Sequence, residues 1–290
     1  MKEINYFMNE LQQCQFNILK AFISVCEKHN LTYFLVGGTA LGAVRHKGFI
    51  PWDDDIDVGM PREDFEKYIL LQKEYEGTPY FIQTYKSDPR FIYNYAKLRD
   101  SSTTFVENYY AAFQMNHGVW IDIFPIDGTP KNTKNNPKAF GKKVLWTWVQ
   151  VYLEYLCGLF RKFSARTFFK DLGLNIVACL FFWTNVGHYR NKMVDKKLKK
   201  YSYKDSEYLA NWLGTNPKKE AMPREVYDGV SKGVFEGMEV NLPKDYDRYL
   251  TLLYGDYMTP PPANKQEGHH HHKGLDLNKS YIEYRKEHRL

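Results

Sequence analysis

Cysteine is scarce in these 290 residues: there are four, Cys14, Cys26, Cys157 and Cys179. None has the close paired spacing of zinc or redox motifs, and no disulfide framework is expected. They read as reduced, half-buried thiols of a cytosolic protein. The opening MKEINYFMNELQQ lacks the apolar core of a secretory signal. Long apolar runs are missing too. The best, Leu172 to Trp183, lasts a dozen residues, short of the roughly twenty that a spanning helix needs. Acid is missing from one region. Residues 131 to 200 hold fifteen Lys or Arg against Glu154, Asp171 and Asp195, a balance of +12, so with +6 for the whole chain the remainder is −6. The basic charge therefore belongs to a partner surface rather than to the whole body.

What is present begins with apolar content: 43% hydrophobic residues, enough for a sizeable core in one large domain or two small ones. The 23 Tyr and 19 Phe are many. They fill a core, with some left over for a sugar, a base or a membrane surface.

The densest chemistry lies between Phe34 and Met60, FLVGGTALGAVRHKGFIPWDDDIDVGM. An apolar strand over Tyr33 to Val36 runs into Gly37-Gly38-Thr39. A short helical segment follows with Arg45 and His46, and Pro51-Trp52 then delivers Asp53, Asp54, Asp55 and Asp57. In an alternating strand Asp55-Ile56-Asp57-Val58, side chains two apart share a face, so Asp55 and Asp57 point together. Like charges so close repel, and a divalent cation with oxygen ligands is the simplest compensation, magnesium being usual beside phosphates. The glycines, lacking Cβ, let backbone N–H groups approach an anion at the N-terminus of the next helix. An isolated Asp-x-Asp would read as an acidic surface turn. Its place after a strand-Gly-Gly-helix unit favours a metal and phosphate site.

The run GGTALGAVRHKGFIPWDDDIDVGMPREDF resembles the signature of the LicD family of phosphotransferases, which share the nucleotidyltransferase fold with fukutin and the fukutin-related protein. Looser likeness recurs at Tyr95 to Phe105, at Val119 to Asp127, and from Val234-Phe-Glu-Gly237 through Tyr254-Gly-Asp-Tyr-Met258 to Pro260-Pro-Pro262. The resemblance implies an α+β fold of polymerase-β-like nucleotidyltransferase type, a mixed sheet flanked by helices. It implies transfer of phosphocholine from CDP-choline to a hydroxyl of a cell-envelope glycan precursor, of teichoic acid or capsule type and often lipid-linked, with CMP leaving. Asp55 and Asp57, with one Asp from a neighbouring strand, would hold Mg²⁺ or Mn²⁺. Gly37, Gly38 and Thr39 would take phosphate oxygens, with Arg45, Lys97 and Arg99 adding positive charge. Another CDP-activated alcohol, glycerol or ribitol phosphate, fits the same chemistry. From a different class, a catalytically idle, membrane-associated glycan-binding protein of this fold is the alternative, but such a module gains nothing from repelling carboxylates.

Elsewhere, Ile4, Phe7, Met8, Leu11, Cys14, Ile18, Phe22 and Val25 recur at helical spacing and predict a scaffold helix over 4 to 26, ended at His29-Asn30. Pro61 opens a second helix, Arg62 to Tyr75. Tyr80 to Phe105 reads as strands broken at Ser87-Asp88-Pro89. Lys97 and Arg99 alternate there with Ala96 and Leu98, facing either phosphates or solvent. In Val119-Trp-Ile-Asp-Ile-Phe124, Asp122 is flanked by apolar residues, which is costly unless it is paired or liganded, and it becomes the third carboxylate and a candidate proton acceptor. Asp127, in Asp-Gly-Thr-Pro, reads as a turn. Trp52, Tyr93, Tyr95 and Trp120 are candidates for an aromatic cage around a quaternary ammonium.

Three parts are expected: a catalytic core over 1–130, a basic aromatic helical insert over 131–204, and a closing segment over 205–290. The insert's stretches Val144 to Phe169 and Leu172 to Tyr189 are either buried helices or basic amphipathic helices in a membrane interface, which would make the protein cytoplasmic and peripheral on the inner face of the membrane through 144–190. Lys192 to Lys204 is expected to be a solvated helix face, and no nucleic-acid motif is present. Phe235 to Pro243 reads as a turn feeding a short strand and Asp245 to Leu253 as a helix. His269 to His272 is read as native sequence, either an exposed tract or the source of one histidine for the site.

Overall fold

The structure is a computed structural model that describes residues 8–108, 110–111, 113–129, 186–214, 219–266, 268 and 270–288. In chain order the elements are α1 (Glu10–Lys28), β1 (Phe34–Leu35), α2 (Gly37–Arg45), β2 (Asp57–Pro61), α3 (Arg62–Tyr68), β3 (Tyr80–Gln83), β4 (Ala96–Asp100), β5 (Thr104–Glu107) and β6 (Val119–Gly128). After these come α4 (Val186–Leu198), β7 (Tyr208–Ala210), β8 (Ala221–Pro223), β9 (Val230–Phe235), β10 (Met238–Pro243), α5 (Tyr246–Tyr254), β11 (His272–Asp276) and α6 (Tyr281–His288).

Helix α1 starts at Glu10, later than the expected span, because a capping box fixes that end: extended Asn9 accepts from the Gln12 backbone N–H and Gln12 Oε1 from that of Asn9, satisfying two donors left over at a helix start. Its stripe of Ile18, Leu19, Phe22, Val25 and Cys26 is buried, and the helix lies across β6 and β4. It ends at His29, with Asn30 turning the chain at φ 50°.

The main sheet runs β1-β2-β6-β4-β3, with β7 extending from the far end of β6 to β8. Only β2 and β6 pair in parallel among these strands. The α+β expectation therefore holds, as a mixed sheet with helices. Two antiparallel ribbons flank it, β9 with β10 and β5 with β11.

Three local expectations are corrected. The helix expected over Arg62 to Tyr75 is α3 followed by a 3₁₀ turn, Gln72–Tyr75. The chain unwinds between them because the Gln72 amide serves the edge of β3, donating to Tyr80 O and accepting from Ile82 N–H. The segment around Phe235 is a full hairpin, its turn made by Glu236 and Gly237 at φ 51° and 76°. Asp127 is no turn. It lies fully buried in β6, where Arg62 Nε and Nη2 bind its two oxygens at 2.7 and 2.6 Å. Asp195 of α4 and Glu66 complete that network around Arg62, tying the helix after residue 185 to the core. The insert expected over 131–204 falls mostly outside the described residues. Its last part, α4, exposes Lys192, Lys196 and Lys197 while burying Asn191, Asp195 and Leu198, the solvated face foreseen for that run.

Candidate active site

The site sits where β2 and β6 start, beside the N-terminus of α2. Parallel pairing sets Asp57 directly opposite Asp122, and Asp122 N–H donates to Ile56 O at 2.8 Å. On the other side of β6, Lys97 of β4 stands opposite Asp122 and Arg99 opposite Trp120. Lys97, Asp122 and Asp57 thus form a row across three strands, with Asp55 two residues before Asp57, just outside the strand.

Gly37 has φ +55°, the left-handed region that favours glycine. A Cβ on it would stand 3.1 Å from Asp57 Oδ2, and one on Gly38 would stand 2.8 Å from Asp53 Oδ2. The two glycines therefore make room for carboxylates at the positive end of α2. Gly37 N–H donates to the Tyr249 hydroxyl at 2.9 Å. Thr39 Oγ1 accepts from Asp57 N–H at 2.8 Å, so its hydroxyl fixes the strand entry of Asp57.

Helix α1 holds the acidic loop from behind. Gln12 and Gln15, both buried, donate their amide N–H groups to Asp53 O at 2.9 Å and Asp54 O at 2.7 Å. From the other end of the chain, β11 pairs with β5 and brings His270 to the same loop. Asp54 grips it twice, through His270 N–H at 2.9 Å and Nδ1 at 3.0 Å, with Asp55 Oδ2 at 3.9 Å from Nδ1. The imidazole stands edge-on to Trp120, 5.4 Å between centroids.

The electrostatics follow from this crowding. Burial and the neighbouring Asp54 push Asp53 up to about 6. Burial, then Asp53 and Asp122, push Asp55 up to about 8 against the pull of His270. Asp57 lies well above the carboxylate range through burial and the charges of Asp55, Asp122 and Asp53. Burial alone would lower His270, but its bond to Asp54 and the charge of Asp55 raise it to about 9.

These groups suit a hard divalent cation, which prefers carboxylate oxygens and displaces their protons. Asp122 Oδ1 is buried without a hydrogen-bond partner, although Lys97 Nζ lies 3.3 Å away, while Oδ2 accepts from Trp120 Nε1 at 3.1 Å. The tightest set of potential ligand atoms among the described residues is Asp54, Asp55 and His270, all within 4.8 Å of one another. The sequence pointed to Asp55, Asp57 and Asp122. The backbone gathers these three as well, but their oxygens do not fall within that spacing.

A family model described as LicD/FKTN/FKRP, nucleotidyltransferase domain, matches residues 30–154. The lipopolysaccharide cholinephosphotransferase LicD of Haemophilus influenzae is 30% identical over 270 residues, 91% of this chain and 96% of that protein. The chain belongs to the LicD family. The ribitol 5-phosphate transferase FKRP of human and mouse is 48% identical over 42 residues, 14% of this chain and 8% of that protein.

Other residues singled out in this LicD-family chain lie as follows. Lys97 and Arg99 are on the acidic face, but 2% and 0% exposed. Arg99 donates to Gln83 Oε1 at 2.5 Å and Gly118 O at 2.6 Å and lies 3.5 Å from Glu107. Lys97 sits 3.6 Å from Glu107 as well as beside Asp122. Both are internal counter-ions, and the solvent-facing alternative for them does not hold. Arg45, half-buried, donates to Tyr257 O at 2.7 Å. Trp120 is 1% exposed, its ring already taking Lys97 Nζ at 3.8 Å and Arg99 at 5.0 Å, which leaves it unsuited to a cage. Tyr93 and Tyr95 stack on each other at 4.7 Å, and Trp52 stands edge-on to His46.

Sequence reasoning missed Gln12 and Gln15, whose polar side chains interrupt the apolar stripe of a helix read only as scaffold. It left open which histidine matters. His270 is the one at the acidic loop, His272 packs on Phe105 at 5.0 Å, and His269 lies outside the described residues.

Proposed function

We propose that this chain is a metal-dependent phosphotransferase that moves phosphocholine from CDP-choline to a hydroxyl of a cell-envelope glycan precursor and releases CMP. The observation that carries this is the cross-strand register of Asp57 and Asp122, with Asp55 beside them and the start of α2 facing them. The Haemophilus relative, which matches nearly end to end, is a lipopolysaccharide cholinephosphotransferase, and that favours choline phosphate as the group moved. The core would then be a nucleotidyltransferase fold.

In this reading Asp55, Asp57 and Asp122 hold Mg²⁺ or Mn²⁺, which when bound neutralises charge on the donor's diphosphate. The acceptor oxygen bonds to the phosphorus bearing choline, the bond from that phosphorus to the bridging oxygen breaks, and CMP leaves with the electron pair. The acceptor's proton passes to Asp122, whose Oδ1 lacks a hydrogen-bond partner. His270, held at the acidic loop by Asp54 with Asp55 beside it, is placed to serve a phosphate oxygen. The first-turn N–H groups of α2, at Gly38 and Thr39, face the anion side. Arg45 adds charge from the end of the same helix. The acceptor is lipid-linked, and the basic insert rests on the inner face of the membrane.

FKRP favours one second reading, in which ribitol phosphate replaces phosphocholine. The test incubates the purified protein with Mg²⁺, a lipid-linked sugar and each of CDP-choline, CDP-ribitol and CDP-glycerol. Acceptor-dependent CMP release with CDP-choline, abolished in Asp57→Asn, is the expected result. Release with CDP-ribitol alone would transfer the assignment to the second reading, and release from none would end both.

A further inference from the structure

Tyr254 ends α5 between Leu252 and Met258, and all three are open to solvent, Tyr254 at 46%. A tyrosine on such a rim ordinarily lays its ring on apolar surface and turns its hydroxyl to water. This one carries its hydroxyl toward the α2 turn. Its hydroxyl lies 4.0 Å from the point where a Gly37 Cβ would stand, the same point that Asp57 Oδ2 approaches to 3.1 Å. Burial of the phenol, followed by the charges of Asp57, Glu220, Asp53 and Asp55, pushes its pKa far above the ordinary tyrosine value, so it keeps its proton. The hydroxyl has no hydrogen-bond partner among the described residues.

The backbone that carries it is held on several sides. Gly255, at φ 74°, caps α5 through a 2.9 Å bond to Thr251 O. Lys219 Nζ donates to Leu253 O at 3.1 Å, and Arg45 Nη1 to Tyr257 O at 2.7 Å. The Tyr257 hydroxyl donates to Asp247 Oδ1 at 2.5 Å. Five residues earlier on the same helix, Tyr249 takes the Gly37 N–H, so α5 and the α2 turn are registered to each other. A fixed, protonated donor without an acceptor, set beside carboxylates that repel every anion unless a cation is present, suits an oxygen that arrives with that cation.

We propose that Tyr254 is a substrate-binding residue whose hydroxyl donates to a phosphate oxygen of a nucleoside-diphosphate-linked donor seated beside Asp57. This rests on the phosphotransferase reading above and adds a contact to it. Tyr254→Phe keeps the ring and its packing and removes only the donor. Calorimetry with Mg²⁺ and either CDP-choline or inorganic pyrophosphate should show binding about tenfold or more weaker for Tyr254→Phe than for wild type. The KM for CDP-choline should rise by a similar factor with kcat nearly unchanged, as for a contact made equally in ground and transition states. The melting temperature should stay that of wild type. If wild type binds either probe and Tyr254→Phe binds it within twofold, the contact is refuted while the phosphotransferase reading stands. If wild type binds neither CDP-choline nor pyrophosphate in Mg²⁺, both fall together.

Discussion

Asp57 is held in place by everything except its own charge: its N–H by Thr39, its strand by Asp122, its carboxylate by the space that Gly37 leaves. The charge is left for something else to balance, and that has a pH signature. Asp55 and Glu220, both raised to about 8, and His270, raised to about 9, all bind protons more tightly folded than unfolded. Their stabilisation is complete at low pH and lost as pH rises through those values. His117, lowered to about 4, acts in the opposite sense only below about 6.5. Between about pH 6.5 and 9, therefore, the metal-free protein should melt at progressively lower temperature, and Mg²⁺ should restore most at the alkaline end. Thermal scans with and without EDTA across that range check this, and a flat or rising melting temperature would count against it. Gly37→Ala should cost about 1–2 kcal/mol for its left-handed backbone and lower activity further by crowding Asp57, read by denaturant titration and CMP release. The acids were legible in the sequence because four of them in five positions have no structural use. Lys97 and Arg99 were not, because alternation gives a residue's face but not the partner it meets there, and Glu107, their shared acid, lies on a different strand.

Helix α1 was correctly read as an amphipathic element, yet the same helix braces the acidic loop through two glutamines that periodicity treats as noise. Gln12→Ala together with Gln15→Ala should destabilise the fold by about 1 kcal/mol per lost bond and weaken Mg²⁺ binding, measurable by calorimetry. An effect on stability alone would reduce α1 to scaffold. Helix α3 gives the opposite lesson. Its length was overread because Ile69 and Leu71 look like a continuing stripe, whereas the Gln72 amide bonds that end the helix reach a strand edge eight to ten residues away. Its first residue, Arg62, matters more than its apolar face. Arg62→Ala leaves Asp127 buried without its cation, while Asp195 keeps Lys199 at 2.6 Å, and should cost about 3–5 kcal/mol, visible as a large fall in the urea midpoint. The turn expected at Asp127 failed for the same reason: Asp-Gly has a local preference, and a guanidinium 65 residues away in sequence overrides it.

Across the whole chain, charge is divided: +12 in residues 131 to 200 and −6 elsewhere. Among the described residues no helix is long and apolar enough to cross a membrane. The basic region is expected to bring the protein onto anionic vesicles at low salt and release it at high salt. Co-sedimentation with phosphatidylglycerol vesicles over a salt series tests this, and equal binding to neutral vesicles would argue against it. The sheet and its site were legible from Tyr33 to Asp122 because strand, glycine turn and acids fall close together in sequence. Their completion by the chain's far end was not, since pairing of β5 with β11 joins residues about 170 apart. That pairing has a consequence for how the protein comes off the ribosome. The acids emerge early, but the histidine that Asp54 grips follows 216 residues later, so a chain released between the two carries a half-built site.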